Sequence, residues 1–299
     1  MILILLVATL SLGALALAAA LGREAARAGE WPPRPEALCL AAVTNFFDTL
    51  GIGSFAPTIA WFRFRKLVPD RLIPLTMFIG YTIPAIVQGV IFLILLGVRV
   101  DPWLLLGCVV ALTAGGALGV PIAARSPVRL IQAVIGLALL VAALFYSLSN
   151  LGLMPAGGIA DSLPLHLALL AIAANFLFGI LLSFGVGNYA PTLALLSLMG
   201  LDPRLAFPIM AAGAGFAGIA AGARCVRSVK LDQRIVLGLA IGAIPSVLVA
   251  AFIVKEMPLT LLRWLVAAVV TYAGVTLLAT AARKADLVPD DAGEAAVTH

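Results

Sequence analysis

Charge is scarce in this chain, and histidine and cysteine are scarcer. Only 11% of the 299 residues are Asp, Glu, Lys or Arg, whereas 63% are hydrophobic. Soluble domains carry about 25% charged residues, and no water-soluble fold of this length could bury such an apolar excess. The composition therefore predicts an all-α polytopic membrane protein, with the lipid bilayer as its solvent. Two histidines and no HExxH leave a serine such as Ser54 or Ser183 without a plausible base, since only His166 and His299 are present, and this argues against an intramembrane enzyme. Three widely separated cysteines (Cys39, Cys108, Cys225), with no CxxC, form neither a disulfide framework nor a zinc site. No cofactor or metal is expected. The net charge of +5 is better read as membrane topology than as nucleic-acid binding.

Long apolar runs fill the sequence. Residues 1–22 form an uncharged stretch long enough to cross a bilayer, and because it lacks the basic start of a signal peptide it is expected to be an uncleaved helix. A Pro-rich charged loop, Arg23 to Glu36, follows it. The segment 37–62 is apolar except for Asp48 and is interrupted at Gly51-Ile52-Gly53. Leu72–Gly97, Pro102–Ala124 and Leu130–Leu148 are then plain spans. Residues 150–162 read as a linker. After it, Leu163–Met199 repeats the interrupted pattern, and Leu205–Ala223, Ile235–Val254 and Trp264–Ala282 repeat the three plain spans. The polar residues 283–299 are expected to be a cytoplasmic tail.

The two interruptions are copies of each other. Gly51-Ile52-Gly53-Ser54-Phe55-Ala56-Pro57-Thr58 returns 134 residues later as Gly185-Val186-Gly187-Asn188-Tyr189-Ala190-Pro191-Thr192. Leu67/Leu201, Pro69/Pro203 and Pro74/Pro208 keep the same offset, so residues 37–149 and 163–282 are two repeats. Glycine permits backbone that other residues resist, Ser54 and Asn188 are favoured N-cap types, and Pro57 and Pro191 fall in a first helical turn. Each copy thus predicts a half-helix starting within the membrane, its N–H groups and positive dipole end exposed to a ligand. Two such ends would bind an anion without a buried arginine.

If both interrupted segments cross the membrane, the 19 Lys and Arg divide 10 to 9 between its sides; if both dip in and return, they divide 15 to 4. The positive-inside rule favours the second arrangement. Each half then has three crossings and a re-entrant broken helix, which makes the repeats inverted. The expected topology is that of a cell (inner) membrane protein with the N-terminus outside and the C-terminus in the cytoplasm.

Candidate substrate-binding residues are Gly51, Gly53, Ser54, Thr58, Gly185, Gly187, Asn188, Tyr189 and Thr192. Asn45 and Asn175, each in an Asn-Phe pair ahead of a break, join them as cavity-lining candidates. Asp48 is the one ionisable residue well inside an apolar segment: it is either a proton-coupling group or a carboxylate bonded to N–H groups of the break. The Gly115/Gly119, Gly218/Gly222 and Gly238/Gly242 spacings are assigned to helix contacts. Trp31, Trp61, Trp103 and Trp264 lie near segment ends, where interfacial anchors occur.

The duplicated G-x-G-x-x-x-P pattern in two four-element halves resembles the sulfite exporter TauE/SafE family of membrane permeases, over residues 38–282. Many members carry GIGGG where this chain has Gly51-Ile52-Gly53-Ser54 and Gly185-Val186-Gly187-Asn188. The resemblance implies a permease that exports a small sulfur-containing anion, such as sulfite, a sulfonate or thiosulfate. On this expectation transport proceeds by alternating access between inverted halves, with Asp48 as the candidate should transport be coupled to protons, and a homodimer is a compatible assembly. The rival readings are an anion channel and a carrier of a non-sulfur organic anion.

Overall fold

The computed structural model describes residues 2–69, 72–96, 99–123, 128–151, 158–182, 186–225 and 231–283. Residues 284–299 of the predicted tail and residues 152–157 of the predicted linker lie outside them. Among the described residues twelve helices follow one another: α1 (Ile2–Ala28), α2 (Pro35–Thr49), α3 (Phe55–Arg65), α4 (Ile73–Gly80), α5 (Thr82–Leu95), α6 (Pro102–Ala123), α7 (Val128–Asn150), α8 (Leu165–Leu182), α9 (Tyr189–Leu198), α10 (Pro203–Cys225), α11 (Gln233–Glu256) and α12 (Leu259–Arg283). Among the described residues, seven stretches are long and apolar enough to cross a membrane, α4 and α5 together making one of them. The protein is an all-α, multi-pass membrane protein.

Several boundaries differ from the sequence expectation: α10, α11 and α12 begin earlier and end later than expected, and three further differences follow. First, α1 continues past Gly22 to Ala28, because Arg23-Glu24-Ala25-Ala26-Arg27 are good helix formers. It stops at Gly29, whose φ of +67° is accompanied by bonds from Gly29 N to Ala26 O (3.3 Å) and Glu30 N to Ala25 O (2.9 Å). Second, the plain span 72–97 is parted at Tyr81 into α4 and α5. Pro84 has no N–H to give to the Gly80 carbonyl, and the helix yields there. Third, α7 runs on to Asn150, into the predicted linker.

Both interrupted segments fold back on themselves. Trp61 and Arg65, in the last turns of α3, donate to the Glu36 carboxylate in the first turn of α2, at 3.0 and 2.8 Å. The Arg65 hydrogen bond holds the Glu36 carboxyl below its usual range. The second segment closes just outside its helices: Gly200 and Leu201, following α9, bridge to Gly158 and Ala160, which precede α8 (Ala160 N to Gly200 O, 3.1 Å; Asp202 N to Ala160 O, 2.9 Å). In each case the chain returns to the place it left.

Four long contacts assemble the helices: α2 on α11, α6 on α8, α5 on α10 and α7 on α12. Their directions can be read from neighbouring residues. Gly107 lies against Ile172, and Gly116 against Gly179, so α6 and α8 are parallel. The start of α2 meets the start of α11, with Gly238 against Ala37 and the Arg34 guanidinium 3.2 Å from Asp232. By contrast, Gly218 faces Thr82, Gly89 faces Ala212 and Phe92 meets Phe207 (ring centroids 5.2 Å), so α5 and α10 are antiparallel. The pair α7 and α12 is antiparallel too, with Gly136 against Leu278 and Asn150 Nδ2 3.1 Å from the Arg263 carbonyl. The residues at these crossings are mostly glycine and alanine, which let backbones approach in the absence of a hydrophobic drive between helices. The expected GxxxG role in helix contact holds at Gly115, Gly218, Gly222, Gly238 and Gly242, each set against a neighbouring helix.

Candidate functional site

Residues of both breaks line one cavity. Gly53, Ser54, Phe55 and Ala56 enter it from the first break, and Val186, Gly187, Asn188, Tyr189 and Ala190 from the second. The helices α3 and α9 begin at Phe55 and Tyr189, immediately after the residues that the sequence marks as N-caps. At the first break the reversal uses Gly51 and Gly53 at φ +97° and +88°, a region where L side chains are strained. Asn45 and Asp48 of α2 complete the near wall, and Tyr81, Thr82, Tyr272 and Thr276 add hydroxyl groups to an otherwise apolar lining. No Lys, Arg or His is among the lining residues. Nor do the described residues contain any group of three His, Cys, Asp or Glu that could hold a metal ion.

The two helix starts are not capped as their residue types suggest. Neither Ser54 nor Asn188 makes a side-chain cap bond, and both have helical rather than extended backbone. The Ser54 backbone N–H donates instead to Asp48 Oδ1 at 2.7 Å, so a carboxylate six residues upstream occupies the start of α3. The Asn188 side chain turns to α10, where Nδ2 donates to the Met210 carbonyl at 3.0 Å. At the position equivalent to Asp48 the second half has Leu182. The two cap residues share a helical backbone, but Gly53 lies at positive φ whereas its equivalent Gly187 does not, and the two starts are unlike in charge.

Of the remaining predicted residues, Gly51, Thr58, Thr192 and Asn175 stand beside the cavity rather than on its wall. Thr58 and Thr192 are fully buried one turn into α3 and α9. Thr58 bonds the Ser54 carbonyl (2.7 Å) and the Tyr81 hydroxyl (2.7 Å), and Thr192 donates to Asn175 Oδ1 (3.3 Å). They brace the half-helices from behind. Gly185 lies outside the described residues.

The sequence reading did not single out Thr82, Tyr272 and Thr276 of the wall, nor two residues that tie the site together, Tyr81 and Gln88. Tyr81 ties α2 to α3, its hydroxyl lying 3.1 Å from Thr44 Oγ1 and 2.7 Å from Thr58 Oγ1. Gln88, fully buried on α5, donates through Nε2 to Thr49 Oγ1 (2.8 Å) and Asp48 Oδ2 (3.2 Å), and its Oε1 accepts from the Tyr189 hydroxyl. An amide inside the apolar run Ile83–Leu96 is the signal that could have identified Gln88, because polar side chains within the bilayer need partners.

Compared with models of protein families, with curated proteins and with solved structures, the chain finds no match in any of the three.

Proposed function

We propose that the chain is a permease for a small anion, exporting a sulfur-containing species of the sulfite, sulfonate or thiosulfate kind by alternating access, in the manner of the TauE/SafE permeases that its duplicated motif resembles. The observation that carries this reading is the meeting of two breaks, 134 residues apart in sequence, at one cavity. A break inside an apolar segment is tolerated only where protein or a wet cavity receives it, and duplicated breaks mark the binding site of repeat-built transporters. The anion is held among the N–H groups at the start of α9, the Asn188 and Tyr189 side chains, and the hydroxyl groups of the wall. Asp48 is the proton-coupling residue.

The inverted arrangement has geometric support. Equivalent helices of two inverted repeats oppose one another, as α5 and α10 do, and α7 and α12. Each hairpin starts and ends on one side, which suits a re-entrant segment. The loops around Arg34, Arg65 and Asp232 then face the cytoplasm, while those around Arg99, Asp161, Arg204 and Arg263 face outward, in agreement with the 15-to-4 division of basic residues.

The test is calorimetric binding of sulfite, sulfate, thiosulfate, sulfoacetate, taurine and methanesulfonate to the purified protein, followed by flux in proteoliposomes. A carrier binds at least one of these saturably and shows counterflow. Flux that neither saturates nor counterflows identifies a channel, and absence of binding by every anion in the set refutes the reading.

A further inference from the structure

Asp48, Gln88 and Tyr189 form an unbroken chain of buried side chains from one helix break to the other. Its ends are unequal, since Asp48 oxygen already holds the Ser54 N–H at the start of α3. Granting the anion-permease reading on which this rests, we propose that Gln88 is the positioning residue of a proton-for-anion interlock: the cavity accepts an anion only when Asp48 has taken up a proton, and Gln88 relays that change to Tyr189 at the start of α9.

The first part follows from charge. With Asp48 ionised, the cavity contains one negative charge and no cationic side chain among its lining residues. A second anion brought into the same low-dielectric space would meet an uncompensated like charge. The groups that face Asp48 or share its cavity are Ser54 of α3, Tyr81 between α4 and α5, Gln88 of α5, Tyr189 of α9 and Tyr272 of α12. The helix α11, packed along α2, has no ionisable side chain from Ile235 to Val254. Nothing else in that set can absorb the charge. One proton from solvent, placed on a carboxylate oxygen of Asp48, restores a single negative charge once a monoanion is bound.

The second part follows from donors and acceptors. An ionised carboxylate only accepts, so Gln88 must turn Nε2 towards Asp48; Oε1 then faces Tyr189, whose hydroxyl must donate. A protonated Asp48 donates instead. The Gln88 amide then turns over, Oε1 accepting from Asp48 and Nε2 donating to the Tyr189 oxygen. Thr49, whose hydroxyl donates to the Asn45 carbonyl at 2.8 Å, can rotate towards the relocated Oε1. Asp48, Thr49 and Tyr189 each keep a bond to the amide, and the Tyr189 hydroxyl hydrogen is turned towards the cavity, beside the N–H groups of α9. Proton uptake at one break thus supplies an anion donor at the other.

The probe is methanesulfonate, a strong-acid monoanion that takes up no proton itself, titrated into the purified full chain in two buffers of different ionisation heat. The wild type is expected to take up close to one proton per anion where Asp48 is ionised in the empty protein, and its affinity to fall about tenfold per pH unit over that range. Asp48→Asn loses both the uptake and the pH dependence. Tyr189→Phe keeps the uptake but loses roughly tenfold in affinity at low pH, the worth of one hydrogen bond to a charged group. Gln88→Leu loses the same, and the double variant no more than either single one. Should Gln88→Leu fail to fold, Asp48→Asn and Tyr189→Phe, both close in shape to the parent residues, still decide the matter. Anion binding by the wild type without proton uptake overturns the interlock and leaves the permease reading standing. Losses at Gln88 and Tyr189 that multiply overturn the relay, and no binding at any pH by any of the six anions of the permease test overturns both readings together.

Discussion

Asn188 and Tyr81 show how differently two buried polar side chains can contribute. Asn188 Nδ2 supplies a hydrogen bond to the Met210 carbonyl in a fully buried part of α10. Asn188→Ala should remove this tie between α9 and α10 and also leave a cavity where a buried side chain was, while the Met210 carbonyl keeps its bond within the helix; the expected cost is about 1–3 kcal/mol, read as a lower unfolding temperature in detergent. Tyr81→Phe removes a hydroxyl whose two partners keep other bonds, Thr44 to the Leu40 carbonyl (2.9 Å) and Thr58 to the Ser54 carbonyl (2.7 Å). Its expected cost is only about 0.5–1.5 kcal/mol by the same measurement. The positions of the helix starts at this scale were legible, since glycine pair, cap residue and proline stand in order in the sequence. What occupies those starts was not. A cap is a matter of local geometry, and here a carboxylate six residues away displaces the side chain of the residue that sits at the cap. The partner of Asp48 on α5 is set by how helices cross, and no periodicity within one segment records that.

The close helix pairs make a sharper claim at the scale of elements. A Cβ on Gly179 would drive into the Leu112 carbonyl oxygen of α6, and one on Gly115 into the Phe176 carbonyl oxygen of α8. Backbone cannot step aside as a side chain can. Gly179→Ala should thus abolish recovery of monodisperse protein or lower its melting temperature steeply. Gly222→Ala, where the nearest atom is the Leu17 Cδ1 at 3.1 Å, should be tolerated. The spacing of small residues forecast that these faces touch other helices. It could not say which helix each would touch, because a GxxxG face fits any equally smooth partner. The long apolar spans were legible from length alone, whereas the parting of α4 from α5 at Tyr81 needed Pro84 to be read as a break rather than a bend.

At the scale of the whole molecule, loops gather into two sets. Arg27 closes α1 near the set that contains Arg34, Arg65 and Asp232, and Leu151 follows Asn150 in the set that contains Arg263 and Gly158. Single cysteines at these two exposed positions, in a background without Cys39, Cys108 and Cys225, should differ in whole cells: Leu151→Cys is labelled by an impermeant maleimide and Arg27→Cys is not. Equal labelling of both would refute the re-entrant topology.

The same map of contacts bears on the order in which the protein is made. Each of the four long helix pairs takes one member from residues 37–149 and the other from 163–282. When α2 leaves the ribosome, its partner α11 is still eight helices away, and α5 and α7 likewise wait for α10 and α12. The first half must therefore enter the bilayer without its long helix pairs, held by local ties such as those of Tyr81 and Gln88, until the second arrives to interleave with it. A chain ended after α7 should be inserted yet remain open to protease, and co-synthesis of the missing half as a separate polypeptide, with the cut placed between residues 152 and 157, should restore resistance.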